Sequence, residues 1–328
     1  MNVTNINLEL TTACPLRCKQ CYCSFENPKH MPLEVAQKWI QEAAVIGAKA
    51  VALSGGETLC YPHLNEVIDF AKSKGLIVAA TFSGWNFTQE VLDKLRLAGI
   101  DNICISLNGS TKEINSLTRD GFDYAINALT LLQENHFPST TLNWVMHSNN
   151  TYDFKDVIAI AEKFDVKLID VISFKPDSEK QMNTIPTKEQ LYWVADIIRN
   201  YRGKVKIGVE PCYSQLLAVL LDTKLFGNMN SGPNRGCRAG FSLMSVNVDG
   251  SLSPCRHISY RENYDTIQQY FDNSPIISQL RACNEAEAEE PCSNCDFLYH
   301  CKPCMAINTE IHGKILWGNG FCPLQKHS

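Results

Sequence analysis

Apolar and polar residues alternate through residues 4–10, Thr-Asn-Ile-Asn-Leu-Glu-Leu, the period-two signature of a strand. From Pro32 the apolar positions shift to helical spacing through Trp39, Ala43 and Ile46, and the run stops at Gly47, a residue suited to ending a helix. The exchange then repeats. Strands are predicted at 49–53, 76–82, 102–107, 140–146 and 167–174, and helices at 62–74, 88–98, 122–135, 153–164 and 187–201. Thr187 stands as an N-cap with Gln190 at the capping-box position. Six strand–helix units in series predict parallel strands with helices outside. Right-handed crossovers curl them into an open barrel. Eight units would close it, so the fold expected is α/β, a partial (β/α)6 barrel with a lateral opening that suits a large substrate.

The pattern breaks after about residue 205. Residues 205–209 read as one more strand, and 227–236 as a loop of turn formers. A hairpin is predicted from 243–248 and 251–253 around Asp249-Gly250. Residues 285–290 are an acidic, solvated run. The expected division is a barrel at 1–205, a bridging segment at 206–234 and a small Cys-rich domain at 235–328.

Composition narrows the class. A hydrophobic content of 45% readily supplies a core, and a net charge of −5 argues against a generic nucleic-acid binder. Residues 216–221 are among the longest apolar runs and are far too short to cross a membrane. Met1–Asn5 has no signal-peptide character. Fifteen cysteines in a chain of this size therefore point to reduced, metal-binding thiols in the cytoplasm rather than a secreted disulfide scaffold, with no nucleic-acid or membrane partner.

Cys14, Cys18 and Cys21 lie at C-x3-C-x2-C spacing directly after the first predicted strand. Three thiolates can hold three irons of a 4Fe–4S cubane, whose full protein set is four cysteines, leaving one iron open. A zinc loop is the alternative, although zinc favours paired C-x2-C elements. Ser54-Gly55-Gly56-Glu57 follows the second strand in the same way.

These features together, over residues 1–205, resemble the radical S-adenosylmethionine (SAM) superfamily. The resemblance implies that SAM binds the open iron through its amino and carboxylate groups and is cleaved to a 5′-deoxyadenosyl radical. It implies that Gly55 and Gly56 admit the methionine end of SAM, and that Glu57 fixes the sheet end or accepts from the amino group. Ser83-Gly84 resembles the Thr-Asn-Gly after the family's third strand. Ser106-Leu107-Asn108-Gly109 resembles the Ser-Leu-Asp-Gly after its fourth, with Ser106 and Asn108 near SAM. Arg119 is then a partner for the SAM carboxylate, since a guanidinium forks onto carboxylates. Asn143 reaches either the ribose or a structural bond. One departure concerns the adenine contact: the residue before the third cysteine is usually aromatic, and here it is Gln20, with Tyr22 one place beyond Cys21.

Cys237 and Cys255, then Cys292, Cys295, Cys301, Cys304 and Cys322, resemble a SPASM domain, the auxiliary-cluster module of peptide-modifying radical SAM enzymes. The last close pair is C-x2-C where the family has C-x3-C. The resemblance implies two auxiliary 4Fe–4S clusters, three in all, one held by Cys237, Cys255 and Cys304 and the other by Cys292, Cys295, Cys301 and Cys322. A zinc ribbon on Cys292/Cys295 and Cys301/Cys304 is the alternative. Cys212 or Cys283, a substrate thiolate, or nothing supplies the eighth ligand. Cys212 is by default a buried hydrophobe, and otherwise that ligand or a hydrogen-atom donor to a substrate radical. Cys23, Cys60 and Cys104 read as packing residues. His147 and His257 read as satisfied histidines, and Asp170, Lys175 and Glu210 as general bases by position alone.

The expected function is radical modification of a peptide: crosslinking, thioether formation, epimerisation or oxidation. The barrel starts by residue 4, so a leader-binding partner would be a separate chain, and the electron donor a flavodoxin or ferredoxin. An aminocyclitol- or sugar-type dehydrogenase is the runner-up. A non-enzymatic iron–sulfur or zinc protein that binds a partner is the alternative of another class.

Overall fold

The computed structural model describes residues 3–23, 27–176, 178–221, 236–298, 301, 302, 304–313, 315 and 322–324. Seven strands run parallel and in sequence order: β1 (Asn5–Thr11), β2 (Ala50–Gly55), β3 (Ile77–Phe82), β4 (Asn102–Ser106), β5 (Thr140–Met146), β6 (Leu168–Ser173) and β7 (Lys206–Val209). The crossover helices are α1 (Leu33–Val45), α2 (Leu64–Ser73), α3 (Gln89–Leu97), α4 (Lys112–Ser116) with α5 (Phe122–Glu134), α6 (Phe154–Lys163) and α7 (Lys188–Asn200). The six predicted units are all present, and the Thr187–Gln190 capping box opens α7. The short α4 has no counterpart in the sequence reading.

Side-chain alternation sorts each strand. Ile6, Leu8 and Leu10 of β1 are fully buried and join Trp39 and Ile40 of α1 in one core. Each such aliphatic side chain contributes about 1.5–3 kcal/mol on burial. Asn7 faces the opposite way, into the barrel lumen. Register carries this across the sheet, so that Ser106 of β4 pairs with Asn143 of β5, and Asn143 with Asp170 of β6. Three polar groups thus stand in one row of the lumen. Beneath the outer helices, Trp144 of β5 stacks on Phe154 of α6 with ring centroids 4.5 Å apart.

The predicted hairpin forms from β8 (Leu243–Val246) and β9 (Leu252–Ser253), which are antiparallel. Its position was not expected. β8 runs parallel beside β1, with Leu8 opposite Val246, so the sheet reads β7-β6-β5-β4-β3-β2-β1-β8-β9. An eighth helix, α8 (Ser214–Leu221), lies beyond the six units and follows β7. Helices Ile267–Asn273, Pro275–Glu285 and Met305–His312 complete the C-terminal region. The acidic residues after Pro275–Glu285 are largely exposed, as predicted. Most of the predicted 227–236 loop lies outside the described residues. Among the described residues no helix is long and apolar enough to cross a membrane.

Candidate functional site

The cysteine loop leaves the end of β1 and rests on the segment after α4. The Arg17 amide donates to Asp120 Oδ2 (2.9 Å), the Gln20 amide to the Thr118 carbonyl (3.3 Å), and the Asp120 amide to Cys18 Sγ (3.4 Å). Burial pushes the Cys14 thiol up to about 11 and raises that of Cys18, with Arg119 opposing the rise at Cys18. A hydrogen bond with Cys23 holds Cys21 down, at about 6. Arg119 lies close enough to lower both Cys18 and Cys21, so a cation stands beside thiols that must ionise to bind metal.

The Gly55-Gly56 pair is dictated by β1. A Cβ on Gly55 would lie 2.3 Å from the Thr11 carbonyl oxygen, at a φ of +147°, and one on Gly56 would lie 2.3 Å from that of Ala13. The Gly56 amide donates to Thr11 O (2.6 Å) and the Glu57 amide to Ala13 O (2.8 Å). Close approach of the cysteine loop itself thus excludes side chains here, in addition to any need of a ligand. Of the two expected roles for Glu57, the structure places it in the first. It is 1% exposed and its carboxylate accepts from the Ser83 amide (2.8 Å), the Ser83 hydroxyl and the Leu59 amide (3.2 Å). Asn108 is also fully buried rather than facing a ligand. Its amide nitrogen donates to Gln20 Oε1 (2.6 Å) and Thr118 Oγ1 (2.8 Å), and its Oδ1 accepts from the Val145 amide. Gln20 Oε1 also lies 2.7 Å from His147 Nε2, so the residue that replaces the usual aromatic is locked from two sides. Tyr22 turns the other way. Its hydroxyl donates to Glu9 Oε1 (2.8 Å) and its ring lies 4.4 Å from that of His257.

A cavity of about 420 Å³ occupies the strand C-terminal end of the barrel, where barrel enzymes build their sites. Cys14, Cys18, Gln20, Cys21, Tyr22, Gly55, Gly56, Ser83, Ser106, Arg119, Asn143 and Cys212 all line it. Of the predicted SAM contacts only Glu57 and Asn108 stand behind the wall. Two buried lining atoms, Arg119 Nε and Ser54 Oγ, have no hydrogen-bond partner. A buried donor left so is costly unless a ligand satisfies it. A three-thiol loop, a guanidinium with an unused donor and an unpaired hydroxyl in one cavity fit an iron–sulfur cluster with an amino-acid carboxylate beside it.

The far side of the cavity is charged. Lys175 Nζ sits 2.7 Å from Glu210 Oε1 in a largely buried pair. Burial works against both charges, but Lys175 holds Glu210 below its ordinary range, and Cys212 and Glu210 together hold Lys175 above its own. Burial, with Glu210 nearby, pushes Asp170 up to about 6. The sequence reading missed Asn7, Cys104 and Arg256 as lining residues and Glu9 in a neighbouring cavity. Strand alternation from the buried Leu8 would have found Asn7 and Glu9; Arg256 carries no pattern beyond its place beside Cys255.

Cys212, Cys237, Cys255 and Cys304 line a further cavity of about 330 Å³ that adjoins the first through Lys175, Glu210, Cys212, Leu243 and Cys255. The neighbouring Cys304 thiol, with burial, holds the Cys212 thiol well above its ordinary range. Burial raises Cys301 well above its ordinary range, and Cys322, Cys292 and Cys295 nearby add to the rise. Cys283 is influenced by burial, Glu289 and Lys302 but by no cysteine. Among the described residues no three His, Cys, Asp or Glu side chains are placed to hold a single metal ion.

Residues 8–164 match the radical SAM superfamily. Over 336 aligned residues the chain is 22% identical to the AdoMet-dependent heme synthase of Methanosarcina barkeri, covering 96% of this chain and 94% of that one. Its fold is similar to that of Streptococcus suis SuiB bound to S-adenosylmethionine, with a TM-score of 0.78 and 14% identity over 98% of this chain and 78% of that one. SuiB has also been solved bound to the precursor peptide SuiA. The enzyme anSMEcpe, solved with AdoMet and a Cp18Cys peptide, aligns with a TM-score of 0.74 and 17% identity over 97% of this chain and 93% of that one.

Proposed function

We propose that the chain is a radical SAM enzyme, with its radical SAM domain over residues 8–164, and that its substrate is a peptide. The observation that carries this reading is the shape of the site. The cavity beside the cysteine loop continues, past Tyr22, Cys23, Gly55, Lys175, Arg256 and His257, into a second cavity of about 310 Å³ that is also lined by Thr12, Asp249, Ser259 and Glu310. Such a run of space between the barrel mouth and the C-terminal region accepts an extended segment. SuiB and anSMEcpe, with the same fold, are seen with peptides.

When bound, SAM and its cluster supply a 5′-deoxyadenosyl radical that removes hydrogen from an unactivated C–H bond. The chain's own residues hold and orient. Cys14, Cys18 and Cys21 hold the cluster, and Arg119 forks onto the amino-acid carboxylate. Ser83, Ser106 and Asn143 line the cofactor's side of the cavity, while Glu57 and Asn108 fix the strand ends and Gln20 from behind. In this reading residues 1–205 form the radical-generating barrel, 206–234 bridge, and 235–328 form a SPASM region with two auxiliary clusters. An electron donor of flavodoxin or ferredoxin type and, where the peptide has a leader, a separate leader-binding chain complete the system.

A second reading, small-molecule chemistry, is favoured by the end-to-end alignment with the heme synthase and by the cations Arg119, Lys175 and Arg256 in the cavity, which suit a carboxylated substrate. Coexpression with short open reading frames neighbouring the gene separates the two. A SAM-dependent mass change on one such peptide is expected. Unchanged peptides, together with turnover of a carboxylated small molecule by the purified enzyme, would move the assignment to the second reading.

A further inference from the structure

We propose that Cys212 is the fourth thiolate of the auxiliary site formed with Cys237, Cys255 and Cys304, so that this cluster is closed to substrate. The inference rests on the iron–sulfur reading of the C-terminal cysteines and goes beyond it, because it identifies the eighth ligand and excludes one role for the site. Four cysteines from four separate segments line one cavity: the turn between β7 and α8, the segment before β8, the segment after β9, and the N-cap of helix Met305–His312. Cys283, the other cysteine available for the role, does not line that cavity.

The position of Cys212 is built rather than incidental. Two residues before it, Glu210 Oε1 accepts from the Ser173 amide (2.6 Å), the Ser173 hydroxyl (2.7 Å) and Lys175 Nζ (2.7 Å), which pins the end of β7 to the end of β6. Two residues after it, the Ser214 hydroxyl donates to the carbonyl of Lys302. That bond ties the Cys212 turn to the segment leading into Cys304. Gly236, beside Cys237, presses on the same segment: a Cβ there would lie 2.3 Å from that of Lys302. Three of the four cysteine-bearing segments are thereby held against one another by their immediate neighbours.

The chemical consequence is specific. A 4Fe–4S cube with four cysteine ligands has every iron occupied. It can pass electrons but cannot take a substrate thiolate as a ligand. Cys212, bound to iron, is then also unavailable as a hydrogen-atom donor.

The test uses the full-length chain with Cys14, Cys18 and Cys21 replaced by Ala, reconstituted anaerobically, so that iron and sulfide report the C-terminal sites alone. This parent is expected to bind about eight irons per chain, two cubanes' worth. Adding Cys212→Ala should remove about four irons or convert one cube to a three-iron form with its own EPR signal on oxidation. Cys212→Ser, which keeps an oxygen ligand and the local shape, should retain iron with a shifted EPR spectrum of the reduced cluster. Cys283→Ala should match the parent. A Cys212→Ala chain with the parent's iron content and EPR spectrum overturns the assignment, as does loss of iron on Cys283→Ala instead. Iron that depends on Cys212, in a protein whose unmodified form makes no 5′-deoxyadenosine from SAM, would sink the functional reading and leave this assignment standing. A parent that binds zinc in place of iron would sink both.

Discussion

In the proposed reading, Arg119 is the side chain on which cofactor recognition most depends. It lines the cavity beside Cys18 and Cys21, and its Nε is buried without a partner. Hydrogen bonds to charged groups contribute about 1.5–3 kcal/mol, so Arg119→Ala should weaken SAM binding by about 10- to 100-fold. Equilibrium dialysis of the reconstituted protein measures this directly, and a variant that binds SAM as tightly as the parent would remove Arg119 from the site. Glu57 makes the opposite case. It resembles a cofactor contact by sequence, yet its carboxylate is consumed by Ser83 and Leu59. Glu57→Ala leaves those buried donors unpaired and should cost about 1–3 kcal/mol of stability, read from the urea midpoint of the anaerobic protein. Unchanged stability with weakened SAM binding would restore the contact role.

At the scale of elements, the site depends on how tightly the cysteine loop is seated on the end of β2. The Gly55–Thr11 and Gly56–Ala13 approaches leave no room for a Cβ, and β1 shifts register between Glu9 and Thr11 where the loop departs. Gly56→Ala must therefore push the segment carrying Ala13, and with it Cys14, away from β2. The expected result is loss of about four irons per chain, one cube, with the C-terminal iron retained. Iron analysis with EPR resolves the two pools, and a full complement of iron in the variant would show that the loop tolerates the shift.

Across the whole molecule, the βα alternation and the cysteine spacing were legible because both follow short periods that a single chain displays. The barrel units, the triad loop and the Thr187 cap came directly from such local patterns. What was not legible required distant pairing. Nothing local says that Leu243–Val246 docks beside β1 and so brings Cys255 and Arg256 to the barrel mouth, or that Cys212 and Cys304, more than ninety residues apart in sequence, line one cavity. Nor is it legible that Asn108 and Glu57 stand behind the cavity wall, because a motif records which residues occur at a place, not which way their side chains turn. The account as a whole rests on one claim, that the cysteine loop and the cavity beside it cleave SAM reductively. The direct measurement is release of 5′-deoxyadenosine from SAM by the anaerobically reconstituted, dithionite-reduced protein, beside the chain with Cys14, Cys18 and Cys21 replaced by Ala. The prediction is release by the first and none by the second. No release by the first, with its full iron content verified, would contradict it.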